Sequence, residues 1–527
     1  MIAAFAHLTR LARAGLVFAR EGVFALIDPA PLPTPARLLV RAARLIERPA
    51  STIAANRLSA ALTQLGPTYV KLGQFLATRP DVVGVTLARD LESLQDKMAP
   101  FPQAAAERKV ADAFGRPVSE TFAAFGPPVA AASIAQVHRA ELPPPFPEAG
   151  MGARQTVAVK VLRPGIEHRC KVDLDAFAFA ARHAENLSAE ARRLRLVEVI
   201  ETLRRSVTIE MDLRLEAAAL SEMAQNTKDD PDFRVPAVDW NRTARDVLTL
   251  EWVDGTPLSD RARLEAKGFD LRDLGRAVIQ TFLRHALRDG FFHADMHPGN
   301  LFVDRDRNLV AVDFGIMGRL GPRERRFLAE ILYGFITRNY HRTAEVHFEA
   351  GYVPHQHSVE SFAQAIRAIG EPIHNRTAED ISMARLLMLL FEVTGLFDMR
   401  TRPELILLQK TMVVVEGVAR GLDPKLDMWK VADPVVREWI ERHLGIGGRL
   451  EGMSDGAREV GRFLGSLPEL LGRGAALMEQ LDRITRDGLV LAPETVAAIG
   501  QAQRNRFLAP ALWLIAALLA WLIWRGV

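Results

Sequence analysis

Two neighbouring stretches constrain this 527-residue chain most. "FFHADMHPGNLFVD" runs from Phe291 to Asp304, and "NLVAVDFGIMGRL" runs from Asn308 to Leu320, around the turn-forming "DRDRN". Short apolar runs bounded by Asn, Asp and Gly predict two strands joined as a hairpin. That pairing brings Asn300 and Asp313 to one end. Asp313 follows an apolar strand and precedes Gly315, which leaves its carboxylate free to meet a cation. The amide oxygen of Asn300 can join it, and hard oxygen ligands suit Mg²⁺. Asp295, five residues before Asn300, is placed to accept a proton from a substrate or water.

A second chemistry fits part of the same stretch. His293, Asp295 and His297 sit two apart and share one face of a strand. They could serve a metallohydrolase, but further ligands would be needed, and Asn300 and Asp313 would have no role. The longer order His293-x-Asp295-x-x-x-x-Asn300, then Asp313-Phe314-Gly315, resembles the protein-kinase layout residue by residue. The remaining parts of a phosphoryl-transfer site can then be sought. "VAVK" ends at Lys160 on an expected strand, where a lysine contacts phosphates. "IEMDLRLEAAAL" offers Glu210, Asp212 and Glu216, and Glu216 is the expected ion-pair partner of Lys160. The hinge that meets adenine through backbone groups is expected at Glu251–Gly255, with Glu251 and Val253.

No glycine-rich phosphate loop precedes Lys160. The chain has "VAAASIAQVH" there, and it carries no G-x-x-x-x-G-K-[ST] anywhere. Ala130, Ala131 and Ala132 restrict the backbone relative to Gly. The alanine loop, "KLGQ" at Lys71–Gln74, Glu210-x-Asp212 and "HADMHPGN" together resemble the UbiB family of atypical kinase-like proteins. The similarity covers roughly residues 65–423.

That resemblance implies several roles. Ala130, Ala131 and Ala132, with Ser133 and Gln136, would replace the glycine loop at ATP, and Ala135 stands where members often have glycine. Lys71 and Gln74 would pair with Glu210 and Asp212 and gate the site against peptide substrates. The implied activity is Mg-dependent ATP hydrolysis or phosphoryl transfer supporting ubiquinone biosynthesis. Membrane lipids, quinone precursors and other proteins of that synthesis would be the partners. A second reading is an ATP-binding scaffold, or a lipid-extraction factor, with little catalysis. Quinone hydroxylation by this chain is not expected, since no dinucleotide fingerprint is present.

The expected fold class is α+β, a two-lobed protein-kinase-like fold. The expected divisions are a helical extension over 1–100, an N-lobe over 101–255, and a helical C-lobe and C-terminal region over 256–500. The uncharged "FLAPALWLIAALLAWLIW", residues 507–524, is long enough at 1.5 Å per residue to span roughly 27 Å as a transmembrane anchor. Arg504 and Arg506 precede it and only Arg525 follows, which places the main body in the cytoplasm at an inner membrane. The opening "MIAAFAHLTRLARAGLVFAR" carries Arg10, Arg13 and Arg20. It reads as a basic amphipathic helix rather than a signal peptide. Lys+Arg (67) nearly balances Asp+Glu (64), so nucleic acid is not an expected partner. A lone cysteine, Cys170, excludes an internal disulfide and a cysteine-based zinc site.

Overall fold

The computed structural model describes residues 2–26, 34–48, 57–77, 98–143, 156–373, 395–399 and 403–444, with isolated positions between 79 and 94 and at 393. Helices open the chain: α1 (Ile2–Arg20), α2 (Thr34–Leu45), α3 (Arg57–Leu65) and α4 (Pro67–Ala77). After α5 (Gln103–Phe114) and the short α6 (Val118–Thr121) come β1 (Ala124–Ala131), β2 (Ala135–Glu141) and β3 (Thr156–Leu162). These strands form an antiparallel sheet with β5 (Val247–Glu251) in the order β1-β2-β3-β5. Val157, Val159 and Val161 alternate along β3 and pack with Ala106, Val110, Phe122 and Val247. That alternation is the period of a strand with one face on the core.

Strand β1 starts at Ala124 and has no clear period in the sequence. Pro127 and Pro128 hide it, because proline cannot donate to a ladder. The strand survives because it is the edge of its sheet, with its register shifted around Pro128.

Four helices follow β3: α7 (Ile166–Leu187), α8 (Ala189–Leu194), α9 (Leu196–Glu210) and α10 (Leu213–Asn226). Ser188 caps α8 by accepting from the Ala191 N–H, and Arg195 takes a left-handed backbone with φ +51°. Asp212 caps α10 in the same way, through the Arg214 N–H.

The second half is mostly helical around two small sheets. β4 (Phe233–Arg234), β6 (Gly255–Pro257), β8 (Leu301–Asp304) and β9 (Leu309–Ala311) form one sheet, in the order β4-β9-β8-β6. β7 (Phe291–His293) pairs with β10 (Met317–Arg319) in the other. The expected hairpin is present as β8–β9, with Leu301 opposite Ala311. α11 (Arg261–Ala266) and α12 (Leu271–Arg284) lead through a π-turn, His285–Asp289, into β7. α13 (Pro322–Ile336), α14 (Tyr340–Glu349), α15 (Val359–Ile373), α16 (Pro403–Leu422) and α17 (Met428–Leu444) complete the described chain. Among the described residues no helix is long and apolar enough to cross a membrane. The anchor expected at 507–524 lies outside them.

Candidate active site

The Lys160 ammonium is the centre of the site. Its Nζ donates to both oxygens of Glu216, at 2.9 and 3.0 Å, and to Asp313 Oδ1 at 3.0 Å. Three elements far apart in sequence therefore meet at one atom: β3, α10 and the segment after β9. Burial works against the charged lysine, but Asp313 and Glu216 outweigh it and its pKa is raised. Lys160 holds the Asp313 carboxyl well below the usual carboxylate range, and Lys71 adds to this from further off. Glu216 moves the other way. Burial pushes it up, and Lys160 and the Phe314 backbone only partly pull it back.

Asp313 carries a left-handed backbone, φ +62°. That conformation costs a non-glycine residue about 1–2 kcal/mol, although Asp tolerates it better than most. The Asp313 side chain keeps 45% of its exposure despite its bond to Lys160. That exposure leaves its second oxygen open to a cation.

Asn300 is brought beside it by the hairpin, and the Val312 N–H donates to the Asn300 carbonyl at 2.9 Å. The Asn300 amide nitrogen donates to the Asp295 carbonyl and to Asp295 Oδ2, both at 3.1 Å. This orientation commits the amide nitrogen to Asp295 and leaves the amide oxygen as the ligand-type atom. Asp313 and Asn300 thus fit a hard divalent cation by donor type.

His293 is 1% exposed and both ring nitrogens are used. Nδ1 accepts from the Asp295 N–H at 3.0 Å, and Nε2 lies 3.2 Å from the Val312 carbonyl. The pair fixes the neutral, Nε2-protonated tautomer, and burial lowers the pKa. Its ring also stands edge-on to Phe314, 4.9 Å between centroids. One imidazole thereby ties the Asp295 loop to the Asp313-Phe314-Gly315 turn. His297 is exposed and its Nδ1 accepts from the Gly299 N–H. These bonds engage both His293 nitrogens and His297 Nδ1, and among the described residues no group of three or more His, Cys, Asp and Glu is placed to hold a metal.

Lys71 is 9% exposed and pairs with Glu210 Oε2 at 2.5 Å. Gln74 lies three residues on, half-buried on the same helix. Asp212 does not share the Lys71 pair. It caps α10 and is clasped by the Arg214 guanidinium at 2.9 and 2.6 Å, a short-range bond set by its place at a helix start.

The alanine loop is a tight turn between β1 and β2. Ala130 and Ala131 oppose Val137 and Gln136, and the Ala132 N–H donates to Ala135. Ser133, expected to face nucleotide, is fully buried. Gln136 is turned away to bracket Phe101, accepting from its N–H at 2.9 Å. Arg163, given no role in the sequence reading, donates twice to the Ala132 carbonyl, at 3.0 and 2.8 Å, and once to Ala99. The loop is therefore pinned, where a glycine-rich loop would be free to fold over phosphates.

At the hinge, the Glu251 N–H is already taken by the Ala237 carbonyl. Among the described residues Val253 makes no backbone bond. The Glu251 carboxylate meets Arg234 Nη1 at 3.2 Å, and Arg234 Nε meets Asp304 at 2.8 Å. Arg234, itself on β4, thus ties the first sheet to the sheet of β4, β6, β8 and β9. A second network joins Asn226, at the end of the helix carrying Glu216, to the π-turn before β7. Arg288 donates to the Asn226 carbonyl and to Asp230, while His285 Nε2 lies 3.2 Å from Asp230. Neither network has a sequence signature, because each joins residues with no regular spacing.

The chain is similar to known proteins over most of its length. Residues 93–347 match the ABC1 atypical kinase-like domain, and residues 366–427 match the UbiB helical domain. A Marinobacter nauticus protein named "Probable protein kinase UbiB" is 39% identical over 456 residues, 85% of this chain and 82% of that one. A Xanthomonas euvesicatoria protein of the same name is 40% identical over 475 residues, 88% of this chain and 82% of that one. A solved Mycobacterium tuberculosis protein, Rv3197 in complex with erythromycin, overlays with a TM-score of 0.48 and 25% identity, covering 72% of this chain and 95% of that one. By its domain matches and its relatives, the chain belongs to the UbiB family of atypical kinase-like proteins.

Proposed function

We propose that the chain binds ATP with Mg²⁺ and hydrolyses it, or transfers its phosphoryl group, in support of ubiquinone biosynthesis at a membrane. The observation that carries this is the convergence of Glu216 and Asp313 on Lys160. An ammonium held this way is fixed in position and stays charged, which is what a phosphate contact requires. Asp313 and the amide oxygen of Asn300 would hold the metal, which when bound neutralises charge on the phosphates. Asp295, oriented by Asn300, receives the proton of the attacking water or acceptor. Val253 offers a hinge N–H for the adenine edge, a role Glu251 cannot share through its own N–H. Lys71, fastened to Glu210, narrows the approach to the cleft and favours water or a small lipid-like acceptor over a peptide.

Phosphate release from ATP by the purified full chain is the test, with and without anionic vesicles and quinone-precursor phenols. Asp313→Asn is expected to lower turnover at least about 1,000-fold, and Asp295→Asn about 100- to 10,000-fold. Full activity in Asp313→Asn would overturn the metal assignment. Tight ATP binding without turnover in the wild type would move the function to a scaffold. Quinone profiling of a deletion strain complemented with wild type or Asp295→Asn then connects turnover to the biosynthetic role.

A further inference from the structure

Helix α1 has a face that the fold leaves open. On its inner side His7 packs against Phe179, with ring centroids 5.6 Å apart, and Ala14 is 4% exposed. Ala19 in the last turn is buried as well. On the outer side, Phe5 is 60% exposed and Leu16 is 42% exposed. At 100° per residue Phe5, Thr9, Ala12, Arg13, Leu16 and Arg20 fall on one arc of the helix, and all six are exposed. Large apolar side chains are therefore presented to solvent beside two arginines.

The charge on this face has one sign. The segment Ile2–Arg20 contains no Asp or Glu. Arg10 is partly spent on Asp173, at 3.6 Å. Among the described residues no carboxylate pairs with Arg13 or Arg20. The first acid after the helix, Glu21, is 5% exposed and neutralised by Arg48 at 2.6 Å. A soluble helix pays for open Phe and Leu with nothing in return, whereas an interfacial helix sinks them below the headgroups and sets its arginines among the phosphates.

We infer that the outer face of α1 docks on a bilayer surface carrying anionic lipid, with Phe5 and Leu16 in the acyl boundary and Arg13 and Arg20 on lipid phosphates. The inference rests on the membrane setting of the proposed function, and it assigns a contact separate from the uncharged run at 507–524.

The only native cysteine, Cys170, is buried, so an introduced cysteine can be labelled selectively. Full-length Phe5→Cys and Leu16→Cys carrying an environment-sensitive fluorophore would be mixed with phosphatidylcholine vesicles, with or without phosphatidylglycerol. Asp273→Cys, on an exposed side chain of α12, is the control. Vesicle flotation is measured on the same samples. A blue shift at Phe5 and Leu16 but not at Asp273, requiring phosphatidylglycerol, is expected. Arg13→Gln and Arg20→Gln should each lower the docking equilibrium about five-fold, from about 1 kcal/mol per basic residue at such a surface. A chain that floats with vesicles while both helix labels stay in a water-like state overturns this inference and leaves the membrane role standing. A chain that does not float at all overturns both. A shift that appears without vesicles and grows with protein concentration overturns lipid docking in favour of a second copy of the chain.

Discussion

Lys160 is the residue on which the site depends, and its two carboxylates are unequal. The Glu216 side chain is 6% exposed and the Asp313 side chain 45%. Removing the lysine leaves a buried carboxylate facing a half-open one, so Lys160→Met is expected to cost about 2–3 kcal/mol of stability in urea titration. Glu216→Gln should cost less, because Asp313 still answers the lysine. Equal losses would mean that Glu216, not Lys160, organises the cluster. The histidines give a second expectation. His293 and His285, each 1% exposed, have pKa values lowered mainly by burial. A folded pKa below the unfolded one, near 6.5, means the unfolded chain takes up protons that the fold refuses. Stability should therefore fall as pH drops below about 6.5, by up to about 1.4 kcal/mol per unit for each histidine. His293→Gln should flatten that slope when unfolding is measured from pH 7 to 5. At this scale Lys160, Asp295, Asn300 and Asp313 were legible in the sequence, because local spacing and strand ends place them. Arg163 was not, because its target carbonyl lies 31 residues away in another turn.

Among the elements, the β1–β2 turn and the π-turn carry the specific constraints. The Ala132 carbonyl is clasped by Arg163, and the Met98 N–H holds the Ala131 carbonyl at 3.1 Å. Arg163→Met removes the clasp without touching the strands. Hydrogen exchange at the Ala132 amide, which donates to Ala135, should then quicken at least about ten-fold, from the loss of bonds worth about 1.5–3 kcal/mol together. Unchanged exchange would mean that the alanines alone hold the turn. The π-turn ends at Gly290, φ +66°, where a Cβ would collide with the Leu320 carbonyl, so glycine is required there by space as well as by backbone. The hairpin β8–β9 was legible because two apolar runs flank a turn. The breaks within 166–226 were blurred because Ser188 and Arg195 sit in an otherwise helix-favouring sequence and act through cap and backbone geometry.

Across the whole molecule, Arg234 is the side chain that ties the sheet carrying Lys160 to the sheet carrying the β8–β9 hairpin. Its own strand, β4, has two residues, too few for any periodic signal, and it pairs in parallel with β9 more than seventy residues later. Nothing in the local sequence announces that tie. Glu251 and Asp304 are 8% and 6% exposed, so Arg234→Met would take a guanidinium away from two buried carboxylates. The expected cost at pH 7 is about 3 kcal/mol. The pH dependence gives the stricter test. Burial alone would raise the Asp304 pKa, but Arg234 and Asn308 reverse this and hold it below the ordinary carboxylate value. A depressed folded pKa contributes stability above about pH 4 that is lost as pH falls through the folded value. The gap in unfolding free energy between wild type and Arg234→Met should therefore be full at pH 6–7 and shrink as pH falls below about 4. A gap that stays constant from pH 7 to 3 would place the role of Arg234 in packing rather than charge. A constant gap would also predict that Arg234→Lys, which keeps the charge, fails as badly as Arg234→Met.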